Sequence, residues 1–315
     1  MFKKIITSFL ILLTSINLYS QEVDSTDSED EFFKEKPKRH WWKNWDDDWK
    51  MWEVKGVPFI EVNYGLGSLD QKNMNYDFAK VGLAELKLGY SSRKNFFEEK
   101  VIDFQNKYFF ISRNGSDLTS KISKVDELHS SMWQFGFSKR KGYGYKFNNF
   151  YLLPYNSSGI VWSGLDMKNY PPSIWPAVYP PLEGQIKAES DIRFLERINQ
   201  TIKFGTTSES GINFDFASSV SFNVAYETTV IFPSYLVWKH IGSFIIESVG
   251  AGLLNNFIDE ISNSSPISLP FVNFLLKGAY QYAFYTLKKD KMNWPFNSEA
   301  PLTLENFKFG LTFTF

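Results

Sequence analysis

Residues 307–315 read Phe-Lys-Phe-Gly-Leu-Thr-Phe-Thr-Phe. Phe307, Phe309, Leu311, Phe313 and Phe315 share one parity, and Lys308, Gly310, Thr312 and Thr314 share the other. Successive side chains of a strand point to opposite faces, so this is a strand with one greasy and one polar face. The same alternation recurs upstream. Ile60, Val62, Tyr64 and Leu66 alternate with Glu61, Asn63 and Gly65; Ala84, Leu86, Leu88 and Tyr90 alternate with Glu85, Lys87 and Gly89. Trp133, Phe135 and Phe137 interleave with Gln134, Gly136 and Ser138. From Ile212 to Phe232 every even position is apolar or small and mildly polar, while Asn213, Asp215, Asn223 and Glu227 sit at odd ones. A tilted membrane crossing takes only ~9–11 residues. That run therefore either projects beyond a membrane or turns near Ser218-Ser219, and periodicity does not decide between the two.

Composition narrows the class. The chain of 315 residues holds 31 Phe, 16 Tyr and 10 Trp, too many aromatics for a disordered protein. It has no cysteine, which excludes disulfides, thiolate zinc sites, thiol nucleophiles and a lipoprotein-type anchor. With 34 basic and 35 acidic residues it lacks the basic excess of a nucleic-acid binder. Mean hydropathy is slightly negative, unlike that of a helical membrane protein. Alternating strands reconcile aromatic richness with polarity, because half of each strand is polar.

The N-terminus carries Lys3 and Lys4, an apolar stretch from Ile5 to Leu18, and Ser20 before Gln21. Fourteen apolar residues fall short of the ~20 that span hydrocarbon. The reading is a secretory signal over 1–20, cleaved after Ser20. The C-terminal strand resembles the assembly signal of Gram-negative outer-membrane β-barrel proteins. In that signal a polar residue is followed two positions on by glycine, then by hydrophobic residues third-last and last. Lys308, Gly310, Phe313 and Phe315 stand at those positions. The resemblance covers about the last eight residues. It implies insertion by the barrel-assembly machinery, with outer-membrane lipids as surroundings.

Lipid offers no partner for backbone amides, so a spanning sheet must close on itself. The fold expected is therefore all-β: a closed antiparallel transmembrane β-barrel of about ten strands, between eight and twelve. Its strands occupy 56–232, with a final strand in 301–315. The Lys-Arg-Lys-Gly-Tyr-Gly run at 139–144 reads as a hairpin turn leading to a strand near 146–155, and Asn114-Gly115 reads as another turn. Pro171, Pro172, Pro176, Pro180 and Pro181 mark 170–182 as a long loop. A short helix from Ser190 to Gln200, capped by Ser190, precedes a strand at 200–207. Over 233–300 the period turns helical. Leu236 to about Ser262 and Phe271 to Lys289 read as a helical hairpin joined at Pro266–Pro270. Lys239, His240, Glu247, Asp259 and Glu260 argue against two spanning helices, so the expected placement is a plug in the lumen or a cap over one mouth.

Residues 21–55 begin as an acidic linker and continue into a tryptophan-rich segment. Trp42, Trp45, Trp49 and Trp52 fall at helical spacing, which suits either an interfacial anchor or a short helix packed on the barrel rim. The consecutive carboxylates Asp46 to Asp48 diverge on a helix and read as a solvated face. His40, His129 and His240 are too far apart for a histidine metal site, so no metal or cofactor is expected. His129 beside Ser130 and Ser131 is the one conceivable rim site for an envelope-lipid enzyme, and an exposed loop histidine is the plainer reading. What remains is the polar barrel face, with Glu61, Glu85, Lys87, Asp215, Glu227 and Lys308 as lumen-facing candidates. The functions expected are, in order, a narrow or plugged channel for small solutes, a structural or docking protein with an envelope partner, and a lipid enzyme.

Overall fold

A computed structural model of the chain describes residues 56–98, 100–119, 127–148, 150–167, 183–217 and 219–315. The expected signal segment 1–20, the extension 21–55 with Trp42, Trp45, Trp49 and Trp52, and the expected loop at 170–182 lie outside the described residues. Eight strands follow in order: β1 (Val57–Asp70), β2 (Val81–Phe97), β3 (Val101–Gly115), β4 (Ser130–Lys146), β5 (Tyr151–Met167), β6 (Ile202–Ala217), β7 (Val220–Ile231) and β8 (Leu302–Thr314). Helix α1 (Glu183–Ile198) lies between β5 and β6, and helices α2 (Val237–Ser264) and α3 (Leu269–Asp290) lie between β7 and β8.

Each strand pairs antiparallel with its sequence neighbour, and β1 pairs with β8 to close the barrel. Closure leaves no edge strand, so every backbone ladder has a partner. The closing seam sets Glu61 opposite Thr312 and Asn63 opposite Gly310. Tight turns join β2 to β3, β4 to β5 and β6 to β7 at the end where β1 begins and β8 stops. The longer connections all emerge at the opposite end, called here the loop end. Val62, Leu66, Leu88, Ile111, Trp133, Phe135, Phe309 and Leu311 are exposed on the outside, whereas Glu61, Asn63, Glu85, Lys87, Gln134 and Lys308 are buried inside. This is the reverse of a soluble sandwich.

The strand count is eight, not ten, and the difference lies in strand length. Lys139 to Gly144 is no turn. Strand β4 runs straight through it to Lys146, with Arg140 in phase with Gln134 and Ser138. The next strand accordingly begins at Tyr151, and just before it the Phe147 N–H donates to Phe150 O. Asn114 and Gly115 are the last residues of β3, and the Asn114 amide donates to Gln134 Oε1 across the ladder. The segments 200–207 and 211–217 are one strand, β6. The long alternation over 211–232 is split between β6 and β7, which pair antiparallel as a hairpin. Asn213 pairs with Asn223 and Glu209 with Glu227, partners of equal parity. The phase therefore passes through the turn unbroken, which is why alternation alone could not reveal it.

The loop end of the barrel is stoppered by α1. Phe194, Leu195 and Ile198 of this helix pack with Tyr76, Phe78 and Leu128 of the loops onto inward-facing Leu69, Val81, Met132, Leu165, Ile231, Leu302 and Leu304. Asp191 accepts hydrogen bonds from the backbone and side-chain amides of Asn75 at 3.0 and 3.3 Å, fastening helix to loop. Burial raises this carboxyl above the usual range, against the pull of those two donors. The helix starts at Glu183, so Ser190 lies within it and is not its cap.

The α2–α3 pair neither plugs nor caps the barrel. It lies against the outer wall. Gln281 of α3 donates to Ser157 O, Asn156 donates to Phe274 O, and Tyr285 donates to Glu305 Oε1. Asn156, Ser210, Tyr226 and Glu305 carry the outward parity of their strands. Polar groups on that patch of wall give α3 a seat, and the lumen has no room for it. Leu195 is fully buried in the stopper. Leu195→Ala should therefore cost about 2–5 kcal/mol of stability, read as a lower temperature at which the compact form on a gel converts to the unfolded one.

Candidate functional site

The barrel interior between the stopper and the tight-turn end holds a charge network. Arg140 sits at its centre, fully buried. Its guanidinium donates to both oxygens of Glu61 at 2.8 and 3.0 Å and to Glu209 Oε1 at 3.0 Å. Lys87 Nζ lies 2.8 Å from Glu209, 3.1 Å from Glu61 and 3.5 Å from Glu85. Lys308 Nζ lies 2.9 Å from Glu85, 2.8 Å from Glu209 and 2.5 Å from Glu227. Four carboxylates and three cations are thus shared among six of the eight strands.

Neutral groups complete the coordination. Asn63 donates to Glu61 and Glu85 at 3.0 and 2.9 Å, and Thr312 donates to Glu61 at 3.0 Å. The Tyr155 hydroxyl lies 2.5 Å from Glu209, and the Arg140 guanidinium stacks 4.1 Å from the Tyr155 ring centroid. The Tyr108 ring lies 4.9 Å from Lys87 Nζ and 5.4 Å from Arg140. Moving an ion out of water costs several kcal/mol, and only multiple short contacts repay it. Toward the tight-turn end Phe104, Leu153, Tyr155 and Ala225 form an apolar layer. An eight-stranded barrel is just wide enough for its side chains to fill. Here they do.

The sequence candidates Glu61, Glu85, Lys87, Glu227 and Lys308 all meet in this network. Asp215 also points inward but stands apart at the rim, paired with Arg93 at 2.5 Å. Arg140 and Glu209, each with four partners in the network, were missing from the list. Arg140 hid in a basic, glycine-rich run of turn-like composition, and Glu209 hid in Ser-Glu-Ser-Gly between two segments read as separate strands. The parity of each strand would have found both.

The four C-terminal positions divide by face. Lys308 and Gly310 point inward, while Phe313 and Phe315 are exposed. A Cβ on Gly310 would lie 2.0 Å from Asn63 Oδ1 and 2.5 Å from Val62 O, so only glycine lets Asn63 reach its carboxylates. His129 immediately precedes β4 at the loop end. Among the described residues, no three His, Asp or Glu side chains group closely enough to hold a metal ion.

No family model and no curated protein matches the chain. Several solved structures resemble it, two of them as follows. Neisserial surface protein A (NspA) superposes with a TM-score of 0.40 at 7% identity, covering 83% of this chain and 100% of its own. Ail, the attachment invasion locus protein of Yersinia pestis, gives a TM-score of 0.32 at 8% identity with the same coverage. Likeness at that level says nothing of location or activity, and the closed barrel stands on its own strand pairing.

Arg140→Ala would strand the Glu61 and Glu209 carboxylates without their guanidinium. A loss of about 3–5 kcal/mol is expected. Arg140→Lys should restore little of it, because an ammonium cannot hold both Glu61 oxygens in a fork. Denaturant titrations of the two variants in detergent check both statements.

Proposed function

We propose that this protein is an integral outer-membrane barrel with a sealed interior, serving the envelope as a structural or docking element. The observation that carries the reading is the filled lumen. A buried network of seven charged side chains occupies the middle, and the α1 stopper occupies the loop end. A conducting pore needs a continuous wet path lined by exposed polar groups. Here the inward charged side chains are spent on one another. The apolar outer belt and its inverse interior support residence in a membrane.

The segment 1–20 as a cleaved leader and Lys308, Gly310, Phe313 and Phe315 as an assembly signal fit this placement, with the barrel-assembly machinery as transient partner. The tryptophans at 42–52 would then serve as an interfacial anchor in the headgroup layer. An envelope partner would meet the extension 21–55 or the loop end.

Reconstitution into planar bilayers tests the sealed interior. Folded protein, verified by heat-modifiable migration, should give no unitary current steps. Deleting 183–198 should leave the network in place and the bilayer still silent. Regular steps from the intact protein would overturn the sealed reading in favour of a channel.

A further inference from the structure

We propose that α2 and α3 form a membrane-embedded hairpin. Helix α2 crosses the bilayer beside the barrel with lipid acyl chains against its exposed face, and α3 returns along the barrel wall. The inference rests on the barrel's own placement in a membrane.

The first observation is the character of α2. Among the described residues it is the one helix long and apolar enough to cross a membrane. Such a helix is ordinarily the core of a soluble protein or a leader segment. This one begins at Val237, and only 11% of its apolar stretch is buried. Trp238, Phe244, Val249 and Leu253 are 85%, 59%, 53% and 67% exposed. A helix apolar around most of its circumference suits hydrocarbon and not water. Its 28 residues give a length of about 42 Å, against ~30 Å of hydrocarbon.

The second observation is where the polar groups of α2 go. Glu247, ten residues in, pairs with Lys288 of α3. The Tyr280 hydroxyl of α3 donates to Glu247 O. Lys239 in the first turn is satisfied by Asn297 O. Asp259 and Glu260 fall in the last six residues of the helix, the stretch by which it exceeds the hydrocarbon. The charges that argued against spanning are thus paired or terminal.

The third observation is the wall beneath. Elsewhere the outward positions form an apolar belt, but under α3 they are Asn156, Ser210 and Tyr226. Lipid would leave the Asn156 amide short of an acceptor, whereas Phe274 O of α3 supplies one. Gln281 Oε1 lies 3.4 Å from Ser210, and Tyr282 covers the Tyr226 ring, whose hydroxyl is held by Glu305 of β8. The helices also run the height of the barrel. Tyr285 of α3 packs with Val230 and Phe232 at the loop end, and Ile267, in the link between the helices, accepts from Tyr145 at the tight-turn end. The exposed face of α2 continues the belt that the barrel presents to lipid.

The chain has no cysteine, so single cysteines can be introduced without background labelling. Full-length protein is expressed in a Gram-negative host and treated with a charged, membrane-impermeant maleimide, before and after permeabilisation. Phe244→Cys and Leu253→Cys report on α2, and Val62→Cys reports on lipid-facing barrel wall. Asn297→Cys marks the loop end, Lys100→Cys the tight-turn end, and Ser265→Cys the hairpin tip. Maleimide needs a hydrated thiolate, so F244C and L253C should label at about a tenth or less of the N297C level, like V62C. S265C should react from the same side as K100C and opposite to N297C. Full labelling of F244C and L253C with V62C protected would overturn the hairpin placement and leave the barrel reading intact. Labelling of S265C from the N297C side would overturn it equally. Labelling of V62C would overturn the membrane barrel and the hairpin with it.

Discussion

Every feature of this molecule depends on the partnership of buried charges inside a closed sheet. Eight strands enclose a space that side chains must fill, and half of those side chains here are polar or ionic. An unpaired charge in that space would cost about 3–5 kcal/mol, a large share of the net stability of a typical domain. Arg140 and Lys308 each bind carboxylates from several strands, so one cation fastens together segments far apart in sequence. Glu61 on β1 and Arg140 on β4 face each other across the barrel, not across a ladder. Such contacts hold the cross-section, while the backbone ladders hold the circumference.

From that interior follow the two ends and the outer wall. With charges matched in the middle, the mouths can be closed by apolar contacts, and α1 with its loops does this at the loop end. The outward parity is then free to be greasy. Where it is not, along β5 to β7, helix α3 covers it. The chain uses helices in two ways: one stoppers the barrel, and a pair leans on its wall.

Alternation made the barrel legible in the sequence, together with the inward face of Glu61, Glu85, Lys87, Glu227 and Lys308. Composition at turns misled at Asn114-Gly115, the last residues of β3, and in two longer runs. Lys139–Gly144 has turn residues but strand phase, and Ser208-Glu209-Ser210-Gly211 does too. The turn between β6 and β7, one of the two readings of that run, leaves the phase undisturbed, because β6 and β7 pair residues of equal parity. The helices showed in the sequence as a change of period, but their position did not. Period tells which residues share a face of a helix and not which surface that face meets. The charges of α2 looked prohibitive one by one, because the partner of Glu247 lies 41 residues away at Lys288. The same holds for Arg140 and Glu61, 79 residues apart.

The claim that the buried network is the structural centre of the barrel is tested most directly by a double-mutant cycle on Arg140 and Glu61. Stability is measured in detergent for the intact protein, Arg140→Met, Glu61→Gln and the double variant. The account predicts that the double variant recovers much of the loss, with a coupling of at least about 2 kcal/mol, as expected for groups in one buried network. Losses that simply add, to within about 0.5 kcal/mol, would mean that the two side chains act independently. The network would then not be what holds the barrel together.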